Sequence, residues 1–263
     1  MNRYLAIYRL TVRNSLIRDM SFKLNFLLWM LVEVLWFIGQ LAFIEVLYGQ
    51  VDAIAGWTKW EVVALVGAHQ IVAQLFQAFF YVNVANIPEL VRSGRLDLLL
   101  TLPVDAQFAV STRQISFDSL VNALVGAGIV VLALFKLGIV PGPAQIALCA
   151  VAIALGIAVH YAIMFGLACI SFWSIRAQFI HGYFNLFMIS RYPEAVFRGV
   201  FRFIFTWLLP IIWVSNLPAM VLARPFDNPW PGFIALASGT LLTLAATRAL
   251  WKFAITRYSS ASS

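Results

Sequence analysis

The side chains best placed for chemistry in this chain fall in two places. Between Pro88 and Pro103, the phrase PELVRSGRLDLLLTLP sets Glu89, Arg92, Arg95 and Asp97 at spacings of three, three and two, with Gly94 offering a turn. Leu98, Leu99, Leu100 and Leu102 follow at once. A short charged helix leading into an apolar knob suits insertion into a cleft of a partner protein. Its plainer alternative is an interfacial loop that seats helix ends. The second place lies inside long apolar runs. Glu33 sits near the middle of one, where a charge costs about 2.5–3.5 kcal/mol, so it must face protein or a wet cavity, or carry a proton. Gln40 shares its helical face. Gln70, Gln74, Gln77 and Tyr81 recur at spacings of four, three and four and make a polar stripe flanked by His69. Such a stripe either lines a translocation path or hydrogen-bonds neighbouring helices at about 1 kcal/mol a bond. Both readings stay open at this stage.

Other chemistry finds little support. No G-x-x-x-x-G-K-[ST] phosphate loop occurs, so a second polypeptide must bind ATP if ATP drives this protein. His69, His160 and His181 are scattered and read as packing or interfacial residues rather than metal ligands. Cys149 and Cys169 lie in an apolar run and read as small buried hydrophobes. A lipid-handling enzyme would have to draw on Glu33, Glu45 and His69, whose spacing follows no catalytic logic. A channel or ATP-independent carrier would be supported by inverted repeats, and no convincing repeat is visible. The chain is therefore expected to bind no cofactor and to catalyse no reaction itself.

The elements that must position these residues are membrane helices. Apolar residues make up 62% of the 263, and charged residues only 11%, against about 25% in soluble domains. Helices tolerate a bilayer because they satisfy their own backbone hydrogen bonds. Six segments approach the roughly 20 residues needed to span. They are 24–48, 61–81, 117–135, 144–172, 203–222 and 231–253. Pro210 and Pro218 interrupt the fifth and predict a broken or re-entrant outer end. Residues 1–23 read as a basic amphipathic helix on the membrane surface. The expected organisation is that helix, a six-helix domain over 24–258 with a cytoplasmic loop at 84–116, and a tail at 259–263.

Charge orients the expected bundle. The net charge is +7, and topology accounts for it better than nucleic acid does, since no soluble domain exists to carry a basic groove. Residues 1–23, 82–116, 173–202 and the C-terminal end hold fifteen of the eighteen Lys and Arg. Only Lys59, Lys136 and Arg224 fall between them. The positive-inside rule makes the first set cytoplasmic and places both termini inside. Segment 173–202, broken by Gly182, Pro193 and four Arg, is expected to be an amphipathic cytoplasmic or interfacial hairpin, with a re-entrant piece as the alternative. The fold class is thus an all-α membrane protein with six transmembrane helices.

The phrase VRSGRLDLLLTLPV resembles the loop after the second span of ABC-2-type permeases, where R-x-G-x-L-D-x-L-L-x-x-P is common. The later stretch ISRYPEAVFRGVFRFIFTWLLPIIWVSNLPAMVL resembles a smaller branch of that family, in which an Arg-Tyr-Pro phrase precedes a span ending in Leu-Pro. With span order and the N-terminal helix, the resemblance covers nearly the whole chain. It implies the transmembrane permease subunit of an ABC exporter in a bacterial cytoplasmic (inner) membrane. It also implies two ABC ATPase subunits carrying ATP and Mg, and a second permease. That permease is expected to be a different chain, with a second copy of this one as the alternative. Glu89, Arg92, Gly94, Arg95, Asp97, Leu98, Leu102 and Pro103 would then form the ATPase-coupling element. The family commonly carries short re-entrant helices on the outer side between its last two spans. Because RPFDNPWP at 224–231 is short, any such element here must come from the fifth span itself. The substrate stays open among lipids, peptides, drugs and glycans.

Overall fold

The computed structural model describes residues 3–21, 23–174, 178–225 and 227–258. The tail at 259–263 and Arg176 lie outside the described residues, as do the side chains of Arg3, Lys23 and His181. α1 (Arg3–Ser21) and α2 (Lys23–Tyr48) lead to a small antiparallel hairpin, β1 (Ala53–Ile54) with β2 (Trp57–Thr58). α3 (Lys59–Phe76) passes through a π turn at Gln77–Tyr81 into α4 (Val82–Ala85) and on to α5 (Ile87–Arg92). The short helices α6 (Leu96–Leu100) and α7 (Ala106–Ser111) precede α8 (Phe117–Leu137) and α9 (Pro143–Cys169). α10 (Gln178–Phe187) continues as 3-10 turns at Met188–Arg191 and Glu194–Val196. α11 (Gly199–Phe203) runs into a π turn at Ile204–Leu208, followed by α12 (Ile211–Ala223) and α13 (Trp230–Arg257).

Five helical stretches are long and apolar enough to cross a membrane: Phe26–Tyr48, Lys59–Arg92, Phe117–Leu137, Pro143–Phe172 and Trp230–Arg257. They match the first four expected spans and the sixth. α3 is the central helix, packed on α8, α9 and α12. Its approach to α8 depends on two facing glycines. A Cβ on Gly67 would lie 3.1 Å from the Gly126 carbonyl, and one on Gly126 would lie 3.2 Å from that of Gly67. Small residues let membrane helices gain dispersion contact where no hydrophobic force drives them together. α2 behaves differently, burying little of itself and turning Leu24, Leu28, Trp29, Leu35 and Trp36 outward.

Both chain ends lie on one face of the bundle, here called the terminal face. The Tyr4 ring packs against Phe108, and the Arg248 guanidinium pairs with Asp105. Phe172, just past the end of α9, packs on Trp251 and Tyr258 at the other chain end. The opposite, distal face carries the hairpin and the start of α3, where Glu61 accepts the Thr58 N–H at 2.7 Å as a helix-starting cap. Glu45 pairs there with Lys59, and Arg224 approaches Glu61 at 3.7 Å.

The fifth crossing is not where the sequence placed it. The chain leaves α9 at the terminal face. Tyr183 then bonds His160 at 2.8 Å, Ser190 bonds His69 at 2.9 Å, and Tyr192, Pro193 and Val196 meet Tyr48, Ile54 and Val62 at the distal side. Residues 178–196 therefore traverse the bundle, correcting the expected cytoplasmic hairpin over 173–202. The stretch 203–222 does not cross. Gly199–Leu208 and Ile211–Ala223 meet at 77°. Gly199, Arg202 and Phe203 sit beside Asp227, Asn228 and Pro231, and α12 returns to the distal face, where the Val221 carbonyl accepts from Gln145 at 3.3 Å. This is a re-entrant pair whose apex, Pro210, seats on Gly239 of α13, where any Cβ would strike the proline ring. Six passes remain, but hydropathy read the wrong segment as the fifth. The true one is too short and too interrupted to score, and the re-entrant pair is apolar enough to imitate a span.

The correction moves charge. Arg198 and Arg202 join Lys59, Lys136 and Arg224 on the distal face, and Arg191 lies within the crossing. Residues 3–21, the 92–113 segment and the end of α13 keep the basic excess on the terminal face. Single-cysteine labelling tests this topology, since native Cys149 and Cys169 are buried. A membrane-impermeant maleimide should reach Arg198→Cys and Ser93→Cys from opposite sides of sealed vesicles. Labelling of both from one side would restore the cytoplasmic hairpin.

Candidate functional site

The terminal face carries the first group of sequence-selected residues. α5 continues the long helix of α3, so Glu89 and Arg92 sit on its last turn, joined at 2.8 Å. Gly94 breaks the helix with a φ of 70°, a left-handed conformation that costs glycine nothing sterically. Arg95 then bonds Ser93 Oγ at 3.1 Å and stands 3.9 Å from Glu89. α6 points Leu96 into the core and leaves Leu98 70% and Leu102 40% exposed, with Asp97 half-buried and Pro103 exposed beside them. The result is an outward apolar knob rimmed by Glu89, Arg92 and Arg95.

This element is tied firmly to the bundle. Asp105 caps α7 by accepting the Phe108 N–H at 3.0 Å and pairs with Arg248, whose guanidinium also donates to Gln107 at 2.9 Å. These bonds from Arg248 hold the Asp105 carboxyl below the usual carboxylate range. Gln107 and Ser111 both bond the Tyr161 hydroxyl, at 3.0 and 2.8 Å. The loop into α8 is clamped from two sides. From α1, Arg18 donates to Gln114 Oε1 at 2.7 Å and to the Ile115 carbonyl at 3.1 Å, while Ser15 Oγ accepts the Ile115 N–H at 3.0 Å. From the central helix, Asn83 Oδ1 accepts the Gln114 N–H at 3.0 Å, and its amide donates back to the Gln114 carbonyl at 2.8 Å. The π turn frees the Ala78 carbonyl, which accepts the Ser116 N–H at 3.0 Å.

The second group divides. Gln74 donates to Glu33 at 3.1 Å and Gln70 also bonds it, so both amides serve as helix–helix contacts that solvate a carboxyl group inside the bundle. Gln77 and Tyr81 open and close the π turn and are half-buried. The stripe's alignment assumed 3.6 residues per turn; it holds through Gln77, and the wider π winding after it rotates Tyr81 out of line with Gln70 and Gln74. His69 points elsewhere, toward the fifth crossing, where its Nδ1 lies 2.9 Å from Ser190 Oγ and 3.3 Å from Ser215 Oγ. Gln40 lines a groove of about 570 Å³ between α2, α3 and residues 191–196.

Sequence reasoning missed the residues that hold the crossing in place. Pro193 forces Tyr192 into an extended conformation, φ −100° and ψ 146°, and stops helical bonding. Asn216 of α12 takes up the groups left unpaired. Its amide donates to the carbonyls of Ser190 at 3.2 Å and Tyr192 at 3.0 Å, and its Oδ1 accepts the Glu194 N–H at 2.9 Å. Below it, the Phe187 ring lies between His69 and His160, at 4.9 and 3.9 Å. The available signal was a Ser-Asn pair inside the apolar run of 211–223, beside a proline-broken segment with unsatisfied backbone.

Replacing Asn216 by Leu should therefore destabilise the detergent-solubilised protein by at least about 2 kcal/mol, the cost of orphaning buried backbone groups. Thermal unfolding measures this, and a midpoint within error of wild type would contradict the clasp. The Asp105 bond gives a pH dependence of known sign. A depressed carboxylate pKa contributes stability above the ordinary range near about 4 and loses it as pH falls through the lowered folded value. Asp105→Asn should lower stability at neutral pH and flatten that acid-side decline.

A family model described as "ABC-2 family transporter protein" matches residues 34–262. No curated protein and no solved structure matches the chain. The match takes in the central helix, the knob on the terminal face, the fifth crossing and the re-entrant pair. This multi-pass helical chain, matched over most of its length, belongs to the ABC-2 transporter family, the membrane permeases of ABC transporters.

Proposed function

We propose that this chain is the permease subunit of an ATP-driven exporter in a bacterial inner membrane. It works beside a second permease, expected to be a different polypeptide, and with two separate ATPase subunits that hold ATP and Mg. On this reading the terminal face is cytoplasmic, in keeping with the basic residues gathered there. The knob of Leu98 and Leu102, with Glu89, Arg92, Gly94, Arg95, Asp97 and Pro103 around it, enters a cleft on an ATPase. The single observation that supports this most is the pairing of family membership with that knob, because Leu98 and Leu102 stand outward together beside a charged rim, as a segment inserted into a partner's cleft would.

ATP binding draws the ATPases together, and their movement displaces α6. The displacement reaches the membrane along two routes already described: through Arg248 and Tyr161 into α13 and α9, and through the 114–117 loop into α1 and the π turn. Such a change needs a partner with different affinity for the two states. The path lies between two permeases, because the core of this bundle is filled with side chains.

The double substitution Arg95→Ala and Asp97→Ala should leave the protein in the membrane while uncoupling ATP hydrolysis from transport. Leu98→Asp should remove the ATPase from the complex purified out of native membranes. If wild-type protein carries no ATPase, or Leu98→Asp retains it in full, the coupling role is wrong.

A further inference from the structure

Arg191 is the charged member of the Arg-Tyr-Pro phrase and stands inside the fifth crossing. It lines the groove between α2 and α3 together with Val66, seven residues into α3. At 1.5 Å per residue that is about 10 Å below the distal start of the helix. A guanidinium at such a depth is costly unless it is paired. The described contacts of Arg191 are to its own turn: Nε donates to the Met188 carbonyl at 3.2 Å, and a terminal nitrogen touches the Met188 sulfur. Among the described residues, no carboxylate lies within salt-bridge distance of it. Glu45 pairs with Lys59 and Glu61 with Arg224, while Glu194, three residues on, forms no ion pair with Arg191 and keeps a buried Oε2 without a hydrogen-bond partner.

Apart from Gln40, Tyr48 and Tyr192, the rest of the groove is apolar. Leu35, Trp36, Phe43, Ile44 and Leu47 of α2 form one wall, on the helix that stands most exposed to lipid. A largely apolar trough of about 570 Å³, set along a lipid-facing helix and lined by one guanidinium without a carboxylate partner among the described residues, is complementary to a hydrocarbon chain with an anionic head.

We propose that this groove binds a membrane phospholipid whose head carries net negative charge, in preference to a zwitterionic one, with its acyl chain along α2 and its phosphate on Arg191. On the permease reading, this class of amphiphile is the cargo. The binding claim stands without that reading.

The test uses the full-length chain reconstituted in bilayers. Two phospholipids with the same photoactivatable acyl chain serve as probes, one phosphatidylglycerol and one phosphatidylcholine. Label should map to the groove wall of α2 and to residues 191–196, with phosphatidylglycerol favoured about fivefold, the effect of one charge interaction near 1 kcal/mol. Arg191→Gln should bring the ratio to about one while phosphatidylcholine labelling persists, and Arg191→Lys should keep most of the preference. Gly39→Phe leaves Arg191 intact. No atom lies within 4 Å of a Cβ at Gly39, so the ring can enter the trough and should abolish labelling by both probes. Equal wild-type labelling, label mapping elsewhere, or an unchanged ratio in Arg191→Gln would overturn the site. Groove labelling with no stimulation of the complex's ATPase by phosphatidylglycerol would retain the site and remove the cargo role. Loss of coupling in the knob variants bears on neither result.

Discussion

Backbone polar groups inside a bilayer must find partners within the protein, and in this chain the side chain of Asn216 meets that demand at the weakest point. The fifth crossing is interrupted at Pro193, leaving carbonyls and an N–H with no helical partners beside Ser190 and Pro193, which are buried in the protein. Asn216 reaches them from the re-entrant pair, so each irregular segment makes the other tolerable. The pair is itself held by Pro210 on Gly239 and by Val214 packed closely on Gly156 of α9. Removing any one of these leaves the others with unsatisfied groups or empty space.

That arrangement concentrates irregular backbone in the distal half. The long helices pack through small residues and side-chain hydroxyls, such as Thr247 donating to the Ala162 carbonyl at 2.7 Å. They offer few alternative arrangements. The fifth crossing and the re-entrant pair are joined instead by a cluster of buried polar contacts, three of them from Asn216 and one between Ser190 and Ser215. On the terminal face, the segment after α6, from Asp105 to Gln114, is tied by an ion pair and side-chain bonds to α1, α9 and α13, which suits an element that moves as a unit with the helices it meets.

Much was legible from the residues alone. Five spans, a helix ahead of the first of them, and the outward leucines that follow Gly94 were legible in hydropathy, periodicity and the glycine and prolines around them. Glu33 could be read as facing protein, because its burial is otherwise too costly. The fifth crossing was illegible for a definite reason. Its average hydropathy is diluted by Arg191 and Glu194, its helix is short, and its missing hydrogen bonds are supplied by a residue 22 positions away from Glu194. The polar stripe was partly legible, since helical spacing placed Gln70, Gln74 and Gln77 on one face but could not foresee the π turn that displaces Tyr81.

The sequence by itself therefore determined that the chain lives in a membrane as a helical bundle with its basic residues biased to one face, because those properties are sums over composition and local period. Only the tertiary structure decided which broken segment crosses and which folds back, and that Arg191 ends in a groove rather than at a surface. Those outcomes depend on which distant polar group satisfies an interrupted backbone, and one chain's local pattern carries no record of that pairing.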